Sequence, residues 1–313
     1  LDATLTRARA VLEPNDPIIA DVLTNLGLAR AAQGRVIESE QLFRDALAIR
    51  QAAPHPDEPR LVAAFANLGM SLSAQGKHKE GESMWRQAFE LSARVNGPNH
   101  CDTLKSQSNY GNTLRLLNKP GEAEPFVRDA ATKYSALLGN SHPDTLNALF
   151  ILALTLEALG TESNLTEAEN IFVGVLEARR RTLGDRHQDT LQVMYMLGEF
   201  RKGQSRPADA EPLFREAITG LESAGAGSTP FAVSARLELG RTLAQLRRYQ
   251  EAESVLLQVS RVLAAGHGGA GLGSSGQDPC AKDLVALYTA WDTAEPGKGY
   301  HAKAQQWRAK LAP

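Results

Sequence analysis

Apolar residues recur along this chain in steps of three and four, the pattern of helices with one buried face. The pattern itself repeats. A Leu-Gly pair at Leu26-Gly27 returns as Leu68-Gly69, Tyr110-Gly111, Leu152-Ala153, Leu197-Gly198 and Leu239-Gly240. Successive anchors stand 42 residues apart (69 − 27 = 42) except for one step of 45 (198 − 153 = 45), where the chain expands around Thr161-Glu162-Ser163-Asn164. Each anchor is followed by a small residue: Ser39, Gly81, Ala123, Ala168, Ala210 and Ala252. Four positions later comes a large apolar one: Phe43, Trp85, Val127, Phe172, Phe214 and Leu256. Three later again stand Ala46, Ala88, Ala130, Val175, Ala217 and Val259. These steps keep the columns on one helix face. Small residues predict close helix approach, and the large ones are expected to fill the gap to the next repeat. Each unit therefore reads as two antiparallel helices, A and B, with Gly34, Gly76 and Gly160 marking the turn between them.

Acidic residues flank the small column in every copy, from Glu38-Glu40 to Glu251-Glu253. Acids at a helix start complement the positive end of its dipole. Six equivalent copies argue for architecture, not for one catalytic carboxylate pair.

Between helix B and the next helix A the chain reads Leu138-Gly139-Asn140-Ser141-His142-Pro143-Asp144-Thr145-Leu146 and Leu183-Gly184-Asp185-Arg186-His187-Gln188-Asp189-Thr190-Leu191, with a looser copy from Asn96 to Leu104. This linker, the 42-residue unit and the Asn-Leu-Gly of helix A resemble kinesin-light-chain-type tetratricopeptide repeats, which also occur in bacterial signalling proteins. The resemblance spans residues 15–263. It implies an all-α fold: a right-handed tetratricopeptide-repeat superhelix, or α-solenoid, of about six helix pairs with capping helices at the ends. The expected division is an N-terminal capping helix or partial repeat over 1–14, six repeats over 15–263, a Gly-rich flexible linker over 264–279 and a degenerate capping repeat over 280–313, anchored by Trp291 and Trp307.

Composition narrows the function. The chain has 34 Lys+Arg against 36 Asp+Glu, without the basic surplus of a nucleic-acid binder. No stretch reaches the roughly 18 apolar residues of a membrane helix. Cys101 and Cys280 are too few for a disulfide framework or a zinc site, and a cytoplasmic setting is the simplest expectation. The chain opens on Leu1, not Met, which suggests processing or excision from a larger protein. Gly266-x-Gly268-x-x-Gly271 has the letters of a dinucleotide fingerprint but follows a helix instead of a strand, so it reads as linker and no cofactor is expected. His100, His142 and His187 recur at the repeat period. Equivalent positions in stacked repeats lie on the order of 10 Å apart, too far to share a metal. They are expected to shape the turn, with Asp102, Asp144 and Asp189 capping the next helix.

The resemblance implies that the A helices line a concave groove. Counting from Leu-Gly, the positions expected to face it include Asn25, Asn67, Lys105, Asn109, Asn112, Arg115, Phe150, Tyr195, Glu199, Lys202, Glu238 and Arg241. Asparagine offers both donor and acceptor, suited to a peptide backbone. Asn67, Asn109 and Asn112 are expected to hold that backbone, Lys105 and Arg115 an acidic group, and Phe150 and Tyr195 an apolar side chain. The expected function is a non-enzymatic scaffold for a protein or peptide segment. The alternatives are an intramolecular regulatory or sensor domain of a larger signalling enzyme such as a kinase, with that catalytic domain as partner, and, third, an enzyme with its site in the groove.

Overall fold

The structure is a computed structural model that describes residues 2–54, 57–265 and 279–311. The glycine-rich stretch read as a linker, including Gly266, Gly268 and Gly271, lies outside the described residues. In chain order the helices are α1 (Asp2–Val11), α2 (Pro17–Ala32), α3 (Val36–Ala52), α4 (Glu58–Ala74), α5 (His78–Val95), α6 (Cys101–Leu116), α7 (Pro120–Leu138), α8 (Pro143–Leu159), α9 (Glu162–Leu183), α10 (Gln188–Gly203), α11 (Pro207–Ser223), α12 (Pro230–Gln245), α13 (Tyr249–Ala264), α14 (Pro279–Ala294) and α15 (Tyr300–Ala309). The described residues contain no strand. The even-numbered helices from α2 to α14 are the A helices and the odd-numbered ones from α3 to α15 the B helices. The fold is all-α, built of antiparallel helix pairs.

The chain forms two compact units, Leu1–Ile171 and Phe172–Pro313. In the first, α1 packs on α2, and the pairs α2/α3, α4/α5 and α6/α7 stack through α3 on α4, α5 on α6 and α7 on α8. In the second, α10/α11, α12/α13 and α14/α15 pair, with α11 on α12 and α13 on α14.

The Leu-Gly column explains the pairing. Phe43 lies over Gly27, where a Cβ would come within 2.6 Å of its ring, and Phe214 lies over Gly198, where the distance would be 2.8 Å. The large residue of helix B thus seats first on the glycine of its own repeat. Phe43 also joins a core with Phe65, Leu68 and Leu72 of the following repeat, so the expected inter-repeat contact is one half of its role.

The A-to-B turns of the first six helix pairs, α2/α3 to α12/α13, each carry a left-handed residue. In three it is Gly34, Gly76 or Gly160, and in the others Asn118, Ser205 and Arg247 take φ of 60°, 57° and 59°. The caps differ from expectation. His100, His142 and His187 are themselves the N-caps of α6, α8 and α10, each Nδ1 accepting the backbone N–H of Asp102, Asp144 or Asp189 at 3.2 Å. The aspartates sit in the first turn instead, where their charge meets the dipole. An imidazole accepting at Nδ1 carries its proton on Nε2.

On the B helices an arginine ladder answers the acidic column. Arg44 bridges Glu40 and Glu80, Arg128 bridges Glu124 and Glu167, and Arg215 bridges Glu211 and Glu251. Each arginine follows the large apolar residue and ties one repeat to the next.

Candidate functional site

In the first unit the A helices present a polar face. Asn25 on α2 and Lys105 on α6 are exposed, while Asn67 on α4 is half-buried. Asn109 donates through Nδ2 to the Lys105 carbonyl at 2.9 Å. Asn112 Oδ1 accepts from Arg115 Nε at 3.2 Å and Nη2 at 2.9 Å. At 100° per residue, Lys105, Asn109, Asn112 and Arg115 occupy a sector of about 120° along roughly 15 Å of α6. Burial holds the Arg115 guanidinium below its usual pKa, partly opposed by the field of Glu157 on α8. Asn112 is its side-chain hydrogen-bond partner, and it makes no ion pair among the described residues.

Phe150 corrects an expectation. It is 6% exposed and belongs to the core of α8, so its ring is not presented to a ligand. The i+4 spacing from Leu146 that places it on α8 also turns it inward.

In the second unit Tyr195, Glu199, Lys202, Glu238 and Arg241 come together on α10 and α12. The Tyr195 ring packs edge-on against Phe214 at 5.8 Å and Phe231 at 5.4 Å. Burial, and then the charge of Glu199 four residues on, push its hydroxyl well above the usual phenol pKa. Lys202 donates to one oxygen of Glu238 and Arg241 to the other. Arg241 Nε also donates to Asp283 Oδ1 at 2.9 Å. Burial, and then the neighbouring Glu238 charge, raise the Glu199 carboxyl above its ordinary pKa. Asp283 escaped the sequence reading. Its signal was available, since it stands 42 residues after Arg241 (283 − 241 = 42), one repeat on.

A carboxyl raised on folding stabilises the fold only while protonated, so its contribution is present at acid pH and lost as pH rises through the folded value. Glu199→Gln is therefore expected to raise the melting temperature at pH 7 and to lose that advantage towards pH 4. Melts of both proteins across this range check it. A gain that grows on acidification would contradict the assignment.

Among the described residues no group of His, Cys, Asp and Glu could hold a metal ion, and no helix is long and apolar enough to cross a membrane.

With this geometry, the comparisons define the class. Family models described as tetratricopeptide repeat match residues 19–53, 61–136, 161–223 and 195–261. The chain belongs to the tetratricopeptide repeat family. Among solved structures it is similar to the nearly identical repeats of a Podosopora anserina protein assigned as a kinesin light chain, at 20% identity over 68% of this chain and 99% of that one, with a TM-score of 0.57. BtubC (BKLC) from P. vanneervenii is 18% identical over 72% of this chain and 89% of its own, with a TM-score of 0.57. The Rap conjugation gene regulator of plasmid pLS20, in complex with the Phr* peptide, is 12% identical over 95% of this chain and 74% of its own, with a TM-score of 0.58. A search of the curated proteins finds no significant match.

Proposed function

We propose that this protein is a scaffold that holds an extended protein segment or peptide along its A helices, acting by binding and not by catalysis. The observation that carries this reading is Arg115. It is a half-buried cation on the A-helix face, oriented by Asn112 and without an ion-pair partner among the described residues. Burying a cation is costly unless an anion or strong acceptor answers it. A carboxylate from a bound segment would answer it through charge-assisted hydrogen bonds, with Lys105 adding an exposed charge on the same face. Repeat stacks present such surfaces for extended ligands, and the Rap regulator complexed with the Phr* peptide shares the fold.

The test starts from random heptapeptides displayed on phage and selected on the full chain. Selected sequences are expected to carry Asp or Glu. The double variant Lys105→Glu with Arg115→Glu, confirmed as folded by circular dichroism, is expected to bind them at least about 30-fold more weakly, or about 2 kcal/mol. Undiminished binding would remove this face from the proposal.

A further inference from the structure

The second unit carries a hollow between two consecutive A helices. Gly240 and Ala244, one turn apart on α12, and Ala286 and Ala290, one turn apart on α14, line it together with Leu256 and Leu287. Both leucines are 1% exposed, so the hollow reaches the hydrophobic core. Its volume is about 270 Å³. An apolar cavity of about 150 Å³ accommodates benzene, so there is room for one leucine or phenylalanine side chain.

The charge beside the hollow is unevenly matched. Arg241 and Asp283 also line it. Arg241 leads from Asp283 to Glu238, and Glu238 in turn acts on Glu199. Three carboxylates, Glu199, Glu238 and Asp283, thus meet two cations, Lys202 and Arg241. Glu238 uses both oxygens on those cations. Glu199 makes no ion pair among the described residues and stands four residues after Tyr195 on α10. Asp283 faces Arg241 with both oxygens, Oδ1 2.9 Å from Nε and Oδ2 2.9 Å from Nη2. With three carboxylates against two cations, the group has negative charge left over for an incoming cation.

We propose that this hollow anchors one large apolar side chain of a bound peptide, and that a basic residue beside that side chain meets the Glu199 carboxylate. The proposal rests on the peptide-holding reading and assigns the second unit its own ligand chemistry, opposite in sign to the acidic group that Arg115 would take. Glu199 is the carboxylate that neither Lys202 nor Arg241 pairs among the described residues, and its field draws the incoming cation. The apolar side chain supplies most of the affinity, because the hollow is lined mainly by carbon and opens onto buried leucines.

The experiment uses the full chain and blocked heptapeptides with a central Phe or Ser, flanked on both sides by Lys, Glu or Ser, in fluorescence-polarisation titrations. The Phe peptide flanked by Lys is expected to bind at least about tenfold more tightly than the Phe peptide flanked by Glu and than the Ser peptide flanked by Lys. Ala290→Trp, at an exposed position, is expected to fill the hollow and abolish the preference for Phe. Ala286→Phe provides a second filling variant should the first fail to fold. Glu199→Gln is expected to remove the preference for Lys and keep that for Phe. If both folded filling variants retain the Phe preference, the pocket assignment is wrong. If peptides bind but respond only to Lys105→Glu with Arg115→Glu, the scaffold reading stands and this inference falls. If no peptide binds the parent chain, both fall. Release of tight binding only when residues 266–278 are replaced by a Gly-Ser chain would show that the protein's own segment is the occupant, and would overturn the proposal.

Discussion

Phe214→Ala is expected to destabilise the second unit by about 3–5 kcal/mol, the range for removing a fully buried phenylalanine from a core. Phe214 is 0% exposed, sits over Gly198, and belongs to the core that contains Val233, Leu237 and Trp291. The glycine gives way to nothing when the ring is removed, so the cavity closes only by movement of whole helices. In a stacked repeat the loss is felt first by the neighbours. Hydrogen exchange in α10, α11 and α12 should therefore accelerate before that in α2 to α6. Tyr195 would lose one of its two aromatic supports, and peptide binding on the second unit would weaken with it. The reverse change makes the same point. Gly198→Ala improves helix propensity by about 1 kcal/mol, yet overpacking against the ring costs about 1–3 kcal/mol, so a net loss is expected. Joining Gly198→Ala to Phe214→Leu should cost less than the two changes added. Strict additivity would mean that the two residues do not form the contact described.

Glu238→Ala is expected to cost about 3 kcal/mol, the lower end for breaking a buried ion pair. The Glu238 side chain is 7% exposed and holds Lys202, itself 20% exposed, as well as Arg241. Arg241 keeps Asp283 as a partner after the change, but Lys202 is left partly buried with less to offset its charge. The lower figure follows from that remaining partner and from the solvent that reaches Arg241. Glu238→Gln should fall between the parent and the alanine variant, because an amide oxygen still accepts from one cation. Urea unfolding followed by far-ultraviolet circular dichroism separates the three. Equal stability of parent and alanine variant would mean that the cluster adds nothing to the fold.

The helix pairs were legible because the evidence for them is redundant. Six copies of Leu-Gly, small and large columns say the same thing, and a single deviant such as Tyr110 or Ala153 does not obscure it. The three-residue expansion became the first turn of a 22-residue α9, following the left-handed Gly160. The caps were harder. His-Pro-Asp-Thr offers two residues able to cap, and only the extended backbone at His142 decides that its imidazole does so while Asp144 enters the helix.

Candidate site residues were legible by position and not by exposure. Asn25 and Lys105 are on the surface, but Phe150 turns into the core, because the A helix is apolar over most of its circumference and one residue shifts a side chain by about 100°. Asp283 and the hollow beside it were harder to find because the last helix pair lacks the Leu-Gly anchor, so that only the 42-residue step from Arg241 points to Asp283. Arg44, Arg128 and Arg215 did form a column, one position after the large apolar residue, and their partners follow from the acidic pairs already noticed.

The central claim is that the A helices hold the ligand. The most direct measurement is photo-crosslinking of the full chain with its tightest selected peptide, carrying a benzoylphenylalanine at each position in turn, followed by mass-spectrometric mapping of the adducts. The account predicts adducts on A helices only: on α6, close to Asn109 and Arg115, for a peptide selected through an acidic residue, and on α10, α12 and α14, close to Glu199 and Arg241, for one selected through Phe and Lys. Adducts confined to the B helices α3, α5, α7, α11 and α13, along the arginine ladder, would contradict it.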